Sequence, residues 1–123
     1  MRLAVIGSTN GTDLVPIVDA INSGELLASV EVVISNNELS GILKKAGSYG
    51  IESHFICHKN KKRDVFDLEM SQILESKKID LILLIGFMRI LSSEFVERWR
   101  GKIINVHPSL LPKYAGGMNN SVH

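Results

Sequence analysis

Short apolar runs and helical stripes alternate along the chain. Leu3 to Ile6 is a run of apolar, largely branched residues, closed by Gly7 and followed by the small polar stretch Ser8 to Asp13. That order predicts a strand, a loop and a helix start. Leu14, Ile17, Val18 and Ile21 then recur at helical spacing, and Asn22, Ser23 and Gly24 close the helix. Thr12 or Asp13 is placed to cap it, because a side-chain oxygen there can accept a first-turn N–H. With Asp13 as the preferred cap, Pro16 falls in the first turn, where its missing N–H costs nothing. Val30 to Ile34 predicts a second strand, Leu39 to Ala46 a short helix, and Ile51 to Cys57 a weaker third strand. Phe66, Met70, Ile73 and Leu74 form one helical stripe. Ile79 to Ile85 is apolar at every position but Asp80, the pattern of a parallel strand buried on both faces. Ser92 to Trp99 predicts a helix with Ser92 or Ser93 as cap and Glu94 in its first turn. Lys102 to Val106 predicts a fifth strand running into His107-Pro108.

Strands that alternate with helices in this way predict a doubly wound α/β fold, a mainly parallel sheet with helices on both faces. The stretch from Lys113 to His123 carries adjacent glycines and adjacent asparagines and no clear element. A length of 123 residues suits one domain with a modest core. Charge sharpens the picture by exclusion. Lys and Arg total 14 against 13 Asp and Glu, so nothing here favours a nucleic-acid or membrane-surface binder. The longest apolar run, Leu81 to Ile85, is far below membrane-spanning length. Cys57 is the single cysteine, which excludes an internal disulfide and fits a reducing compartment, so the default location is cytoplasmic. Cys57 reads as a core residue, and no His or Cys spacing suits a structural metal.

Three loops follow the carboxyl ends of predicted strands, the usual ligand edge of such a sheet. Ser8 to Asp13 precedes a helix whose first N–H groups can hold a phosphate, with Gly7 and Gly11 allowing close approach. The spacing is neither a dinucleotide fingerprint nor a Walker A loop, and a plain turn with a cap explains it as well. Gly86-Phe87-Met88-Arg89-Ile90-Leu91 follows the most apolar strand. Its main-chain groups can grip a flat heterocycle, or its apolar side chains can simply pack. In the third loop Asn105 and His107 are two residues apart, on one face of an extended backbone. An imidazole there can move a proton, and the Asn amide can donate to an oxygen gaining charge. A structural histidine at a strand end is the plain alternative. The basic run His58 to Arg63, which includes Lys59, can attract a phosphate or a polyglutamate tail, or be a solvated loop.

The segment Asn105-Val106-His107-Pro108-Ser109-Leu110-Leu111-Pro112-Lys113-Tyr114 resembles the active-site segment of the phosphoribosylglycinamide formyltransferase family. Gly86 to Leu91 resembles that family's folate-loop motif. Gly11-Thr12-Asp13-Leu14, Ile34-Ser35-Asn36-Asn37, and His58-Lys59 with Arg63, Phe66 and Asp67 extend the likeness over essentially the whole chain. The resemblance implies a Rossmann-like, formyltransferase-like N-terminal portion. It implies transfer of a formyl group from 10-formyltetrahydrofolate, as cosubstrate, to the amine of glycinamide ribonucleotide in purine biosynthesis, with no metal. Asn105 and His107 would hold the oxyanion, and His107 would assist proton movement. Gly11, Thr12 and Asp13 would sit at the substrate phosphate, and Met88, Arg89, Ile90 and Leu91 would line the folate pocket. Lys59 and Tyr114 would lie beside the substrate.

Two positions depart from the family pattern, which has Asn where Asp13 stands and Gly where Thr9 stands. A carboxylate facing a phosphate repels it unless it turns inward to cap its own helix. Family members also run well past His123, into strands and a catalytic Asp that no residue here matches. On that pattern the isolated chain is expected to be weakly active or inactive, with an open sheet edge able to pair with a second copy. The alternatives are a formyltetrahydrofolate hydrolase, with water in place of the amine, and a non-catalytic remnant that binds a nucleotide phosphate or self-associates.

Overall fold

The computed structural model describes residues 1–57, 59, 61–87 and 91–106. The chain runs β1 (Arg2–Gly7), α1 (Leu14–Asn22), β2 (Ser29–Ser35), α2 (Gly41–Ser48), β3 (Ser53–Phe55), α3 (Arg63–Ser76), β4 (Leu81–Ile85), α4 (Ser93–Arg98) and β5 (Ile103–Val106). The five strands form one sheet in the order β3-β2-β1-β4-β5, and every neighbouring pair is parallel. The doubly wound α/β architecture expected from the alternating pattern is therefore present.

Alternation along the strands sorts the core into two layers. Ala4, Ile6, Val32, Ile34 and Ile82 face α3 and α4, where they bury Phe66, Met70, Leu74 and Phe95. Leu3, Val5, Val33, Leu83 and Ile85 face α1 and α2, where they bury Leu14, Ile17, Ile42 and Ala46. β1 carries buried side chains on both faces, which is why its sequence is a continuous apolar run. The chain adds β2 and β3 on one side of β1, then crosses to place β4 and β5 on the other. α1 and α2 lie on one face and α3 and α4 on the opposite one, as that change of direction requires.

Several expectations shift at element ends. The second helix begins at Gly41, after Ser40, and not at Leu39, whose side chain is exposed. Asn37 explains the delay: its side chain accepts from Leu39 N at 3.2 Å and its carbonyl accepts from Ser40 N at 3.0 Å, forming a turn first. β3 is only three residues long, because it pairs with β2 alone and only at Val33 to Ser35. Asp13 stands at the start of α1, but its side chain makes no capping bond and its own backbone is already helical (φ −75°, ψ −11°). The carboxylate cap expected there is absent. Ser92, by contrast, does cap α4, accepting from Phe95 N at 3.1 Å. Cys57 is half-buried and lines a surface cleft, so it is not the core residue its sequence context suggests. Among the described residues, no helix is long and apolar enough to cross a membrane.

Phe66 is fully buried beneath the sheet, whereas Leu39 is 85% exposed. Urea unfolding is expected to show Phe66→Ala losing about 3–5 kcal/mol, the cost of the vacated volume. Leu39→Ala is expected to change stability by less than about 0.5 kcal/mol. Equal effects would contradict this assignment of the core.

Candidate functional site at the carboxyl edge of the sheet

The sheet order reverses between β1 and β4, the place where open α/β sheets bind ligands outside the strand ends. Gly7 of β1 is in register with Ile85 of β4, and Ile85 with Val106 of β5. The three segments singled out in the sequence therefore leave adjacent strands at one edge. The first two are tied directly: Ser8 N donates to Gly86 O at 3.3 Å. Gly86 has φ +58°, and a Cβ there would stand 2.7 Å from Thr9 Oγ1. The close approach of Thr9 thus depends on glycine at 86.

The 8–13 loop is organised by its own side chains. Asn10 Oδ1 accepts from Thr12 N at 3.1 Å and from Thr12 Oγ1 at 2.8 Å. Gly11 is buried at φ +75°, so close to α2 that a Cβ would lie 2.6 Å from Ile42 Cα. Two further bonds brace the loop from α2: Ile42 N donates to Thr9 O at 3.2 Å, and Lys45 Nζ donates to Asn10 O at 3.0 Å. Of the residues expected at a phosphate, Gly11 supplies shape, while both donors of Thr12 are engaged with Asn10. Asp13 is half-buried, and this burial raises its carboxyl above the ordinary value of 3.8. Lys45 brings a positive charge to this loop from 35 residues along the chain.

Asn105 is the penultimate residue of β5, opposite Leu84 in register, and its side chain is exposed. Strand alternation puts it on the face of Ile103, which packs against the α3 and α4 core. Leu91 and Phe87 are half-buried against that same core. Leu91 thus has a packing role whatever else it does. Met88, Arg89, Ile90, His107 and Tyr114 lie outside the described residues, as does His58.

Lys59 is exposed and lines a cleft of about 570 Å³ with Ser8, Asn36, Leu39, Phe55 and Cys57. This cleft covers the ends of β1, β2 and β3, whereas Asn105 stands on the β5 side. Lys59 and Asn105 are therefore on opposite sides of β1, and Ser8 is the residue common to both regions. Its hydroxyl donates to Asn36 Oδ1 at 2.6 Å while its amide reaches Gly86. Ser8, Asn10, Asn36 and Lys45 shape this edge and were not singled out individually by sequence. The Asn-Gly pair two residues before Thr12 is a local turn signal that points to Asn10. No local signal marks Lys45, which acts across the fold.

A family model described as formyl transferase matches residues 1–122. A phosphoribosylglycinamide formyltransferase of Haemophilus influenzae is 41% identical over 116 residues, covering 94% of this chain and 55% of that protein. The trifunctional purine biosynthetic protein adenosine-3 of Drosophila melanogaster is 44% identical over 118 residues, covering 94% of this chain and 9% of that protein. The solved structure of the phosphoribosylglycinamide formyltransferase of Coxiella burnetii superposes with a TM-score of 0.84 at 39% identity, covering 93% of this chain and 54% of that one. The chain thus spans about half the length of its single-function relatives. Sequence, sheet order and the matched model agree, and the chain belongs to the formyl transferase family.

Proposed function

We propose that this chain supplies the β1, β4 and β5 loops of a site that moves a formyl group from 10-formyltetrahydrofolate to the amine of glycinamide ribonucleotide, a step of purine biosynthesis in the cytoplasm. The observation that carries this reading is the register of Gly7, Ile85 and Val106, which sets the ends of β1, β4 and β5 side by side at the switch point. The names of its relatives support the substrate pair. Gly11, Thr12 and Asp13 would meet the substrate phosphate, with Lys59 and Tyr114 beside the substrate. Met88, Arg89, Ile90 and Leu91 would line the folate side.

In this mechanism the nucleotide amine attacks the formyl carbon, and a C–N bond forms as the carbonyl oxygen takes negative charge. The Asn105 amide and the His107 imidazole donate to that oxyanion. His107 carries the proton from the attacking amine to N10 of the folate, whose bond to the formyl carbon then breaks. These steps call on no metal. Hydrolysis would use water in place of the amine, so formylated nucleotide against free formate separates the two reactions.

Because Asn105 is exposed, Asn105→Ala is expected to leave the stability to urea within about 0.5 kcal/mol. Formyl transfer, followed as formylated nucleotide, is expected to fall about 10²–10³-fold, the cost of one oxyanion donor. Unchanged transfer would overturn the role of Asn105.

Asp13 supplies a second test. Its carboxylate opposes a bound phosphate, and like unit charges about 4 Å apart in water repel by about 1 kcal/mol. Calorimetry at pH 7.5 is expected to show Asp13→Asn binding glycinamide ribonucleotide about fivefold tighter. Stability follows the raised carboxyl. The folded chain carries a penalty while Asp13 is ionised, and loses it as pH falls through the raised folded value toward the unfolded one. The stabilising effect of Asp13→Asn is thus expected at neutral pH and should vanish in acid. An advantage that grew on acidification would contradict it.

A further inference from the structure

Asp67 lies on the buried face of α3, with Met70, Ser71 and Leu74, and is 2% exposed. Its Oδ2 accepts a short hydrogen bond from the backbone N–H of Ser92, 25 residues away, while Oδ1 is buried without a partner. A buried carboxylate with an unused oxygen is costly, and its retention calls for an explanation. Ser92 is both the cap of α4 and the first residue after the 86–91 segment. One turn further along α3, Ser71 Oγ accepts from Trp99 Nε1 at 3.2 Å. α3 thus holds the start of α4 through Asp67 and its end through Ser71.

The described ends of the 86–91 segment are fixed on both sides. Upstream, Gly86 O receives Ser8 N, and Phe87 packs into the core beside α3. Downstream, Leu91 packs into the same core, and the next residue, Ser92, is held by Asp67. Among the described residues, the upstream polar anchor is a backbone pair and the downstream one is a side-chain carboxyl group. We propose that Asp67 is a positioning residue: through Ser92 it fixes where the chain re-enters after 86–91, and so sets the span across which the segment meets its ligand. The ligand side of this inference rests on the folate reading above; the anchor itself does not. The charge matters less than the acceptor, since an amide oxygen at the same place can receive Ser92 N–H.

The test compares Asp67→Ala and Asp67→Asn in the 123-residue chain by amide hydrogen exchange and by calorimetry with 5-formyltetrahydrofolate and glycinamide ribonucleotide. Asp67→Ala is expected to lose protection at Ser92 and Phe87 while Val5 and Val33 keep theirs. Its folate affinity should fall about tenfold or more, because binding must then order the re-entry point that the Ser92–Asp67 bond holds in the parent, with nucleotide affinity unchanged. Asp67→Asn is expected to keep the exchange pattern and bind folate within about twofold of the parent, because it retains the acceptor. Unchanged protection at Ser92 in Asp67→Ala would overturn the anchor. Lost protection with folate affinity intact would overturn the positioning role, as would loss of both ligands together. If Asp67→Ala does not fold, Asp67→Asn decides alone: weak folate binding with native exchange would refute the acceptor's role. A parent chain that binds no folate would refute the folate reading, and the exchange result would still decide the anchor.

Discussion

The pairing of β1 with β4 is the constraint on which the rest of the structure depends. β1 is the middle strand, buried on both faces, and the chain grows first to one side of it and then to the other. Had β4 joined beyond β3, the segments after β1 and β4 would lie several strands apart. Instead Gly7 and Ile85 are neighbours, Ser8 reaches Gly86, and Val106 follows in the same row. A parallel sheet directs all its carboxyl ends to one edge, so this pairing, extended by that of β4 with β5, brings the ends of three distant strands side by side.

Polar groups at that edge are largely committed to one another. Ser8 links Asn36 and Gly86, Asn10 holds Thr12, Lys45 reaches Asn10, and Asp67 holds Ser92. Such bonds cost less conformational entropy at the moment of binding, because the loops are already ordered. They also set a condition on phosphate binding: a phosphate that draws on the Thr12 N–H must displace Asn10 from it. The same loop leaves Asp13 half-buried without a capping bond and receives Lys45 from α2. The electrostatic character of this edge therefore depends on a few nearby groups and is nearly independent of the overall charge of +1.

Much of this was legible in the sequence because it is local. The branched runs of β1, β2 and β4 and the stripe Phe66, Met70 and Leu74 mark buried faces directly, and Ser92 reads as a cap from its neighbours. β3 was overestimated since its length is set by its partner and not by its own composition. The Asp13 cap is missing because its backbone is already helical, and the N–H groups of Leu14 and Val15 are received by the carbonyls of Gly11 and Thr12 instead. Lys45 was silent for another reason, and Asp67 entered only through the family likeness: each acts on a residue 35 or 25 positions away, and only the folded sheet brings the pair together. Asp67 and Ser71 did leave a trace, as polar residues on an otherwise apolar helical face.

The most direct measurement of the central claim is backbone amide NMR of the 123-residue chain during titration with glycinamide ribonucleotide and then 5-formyltetrahydrofolate. The account predicts that the nucleotide shifts amides within 8–13, and that the folate shifts Gly86, Phe87, Leu91 and Asn105. Shifts confined to the cleft at Phe55 and Cys57, or to the outer faces of α3 and α4, would contradict the assignment of one shared site to the β1, β4 and β5 loops.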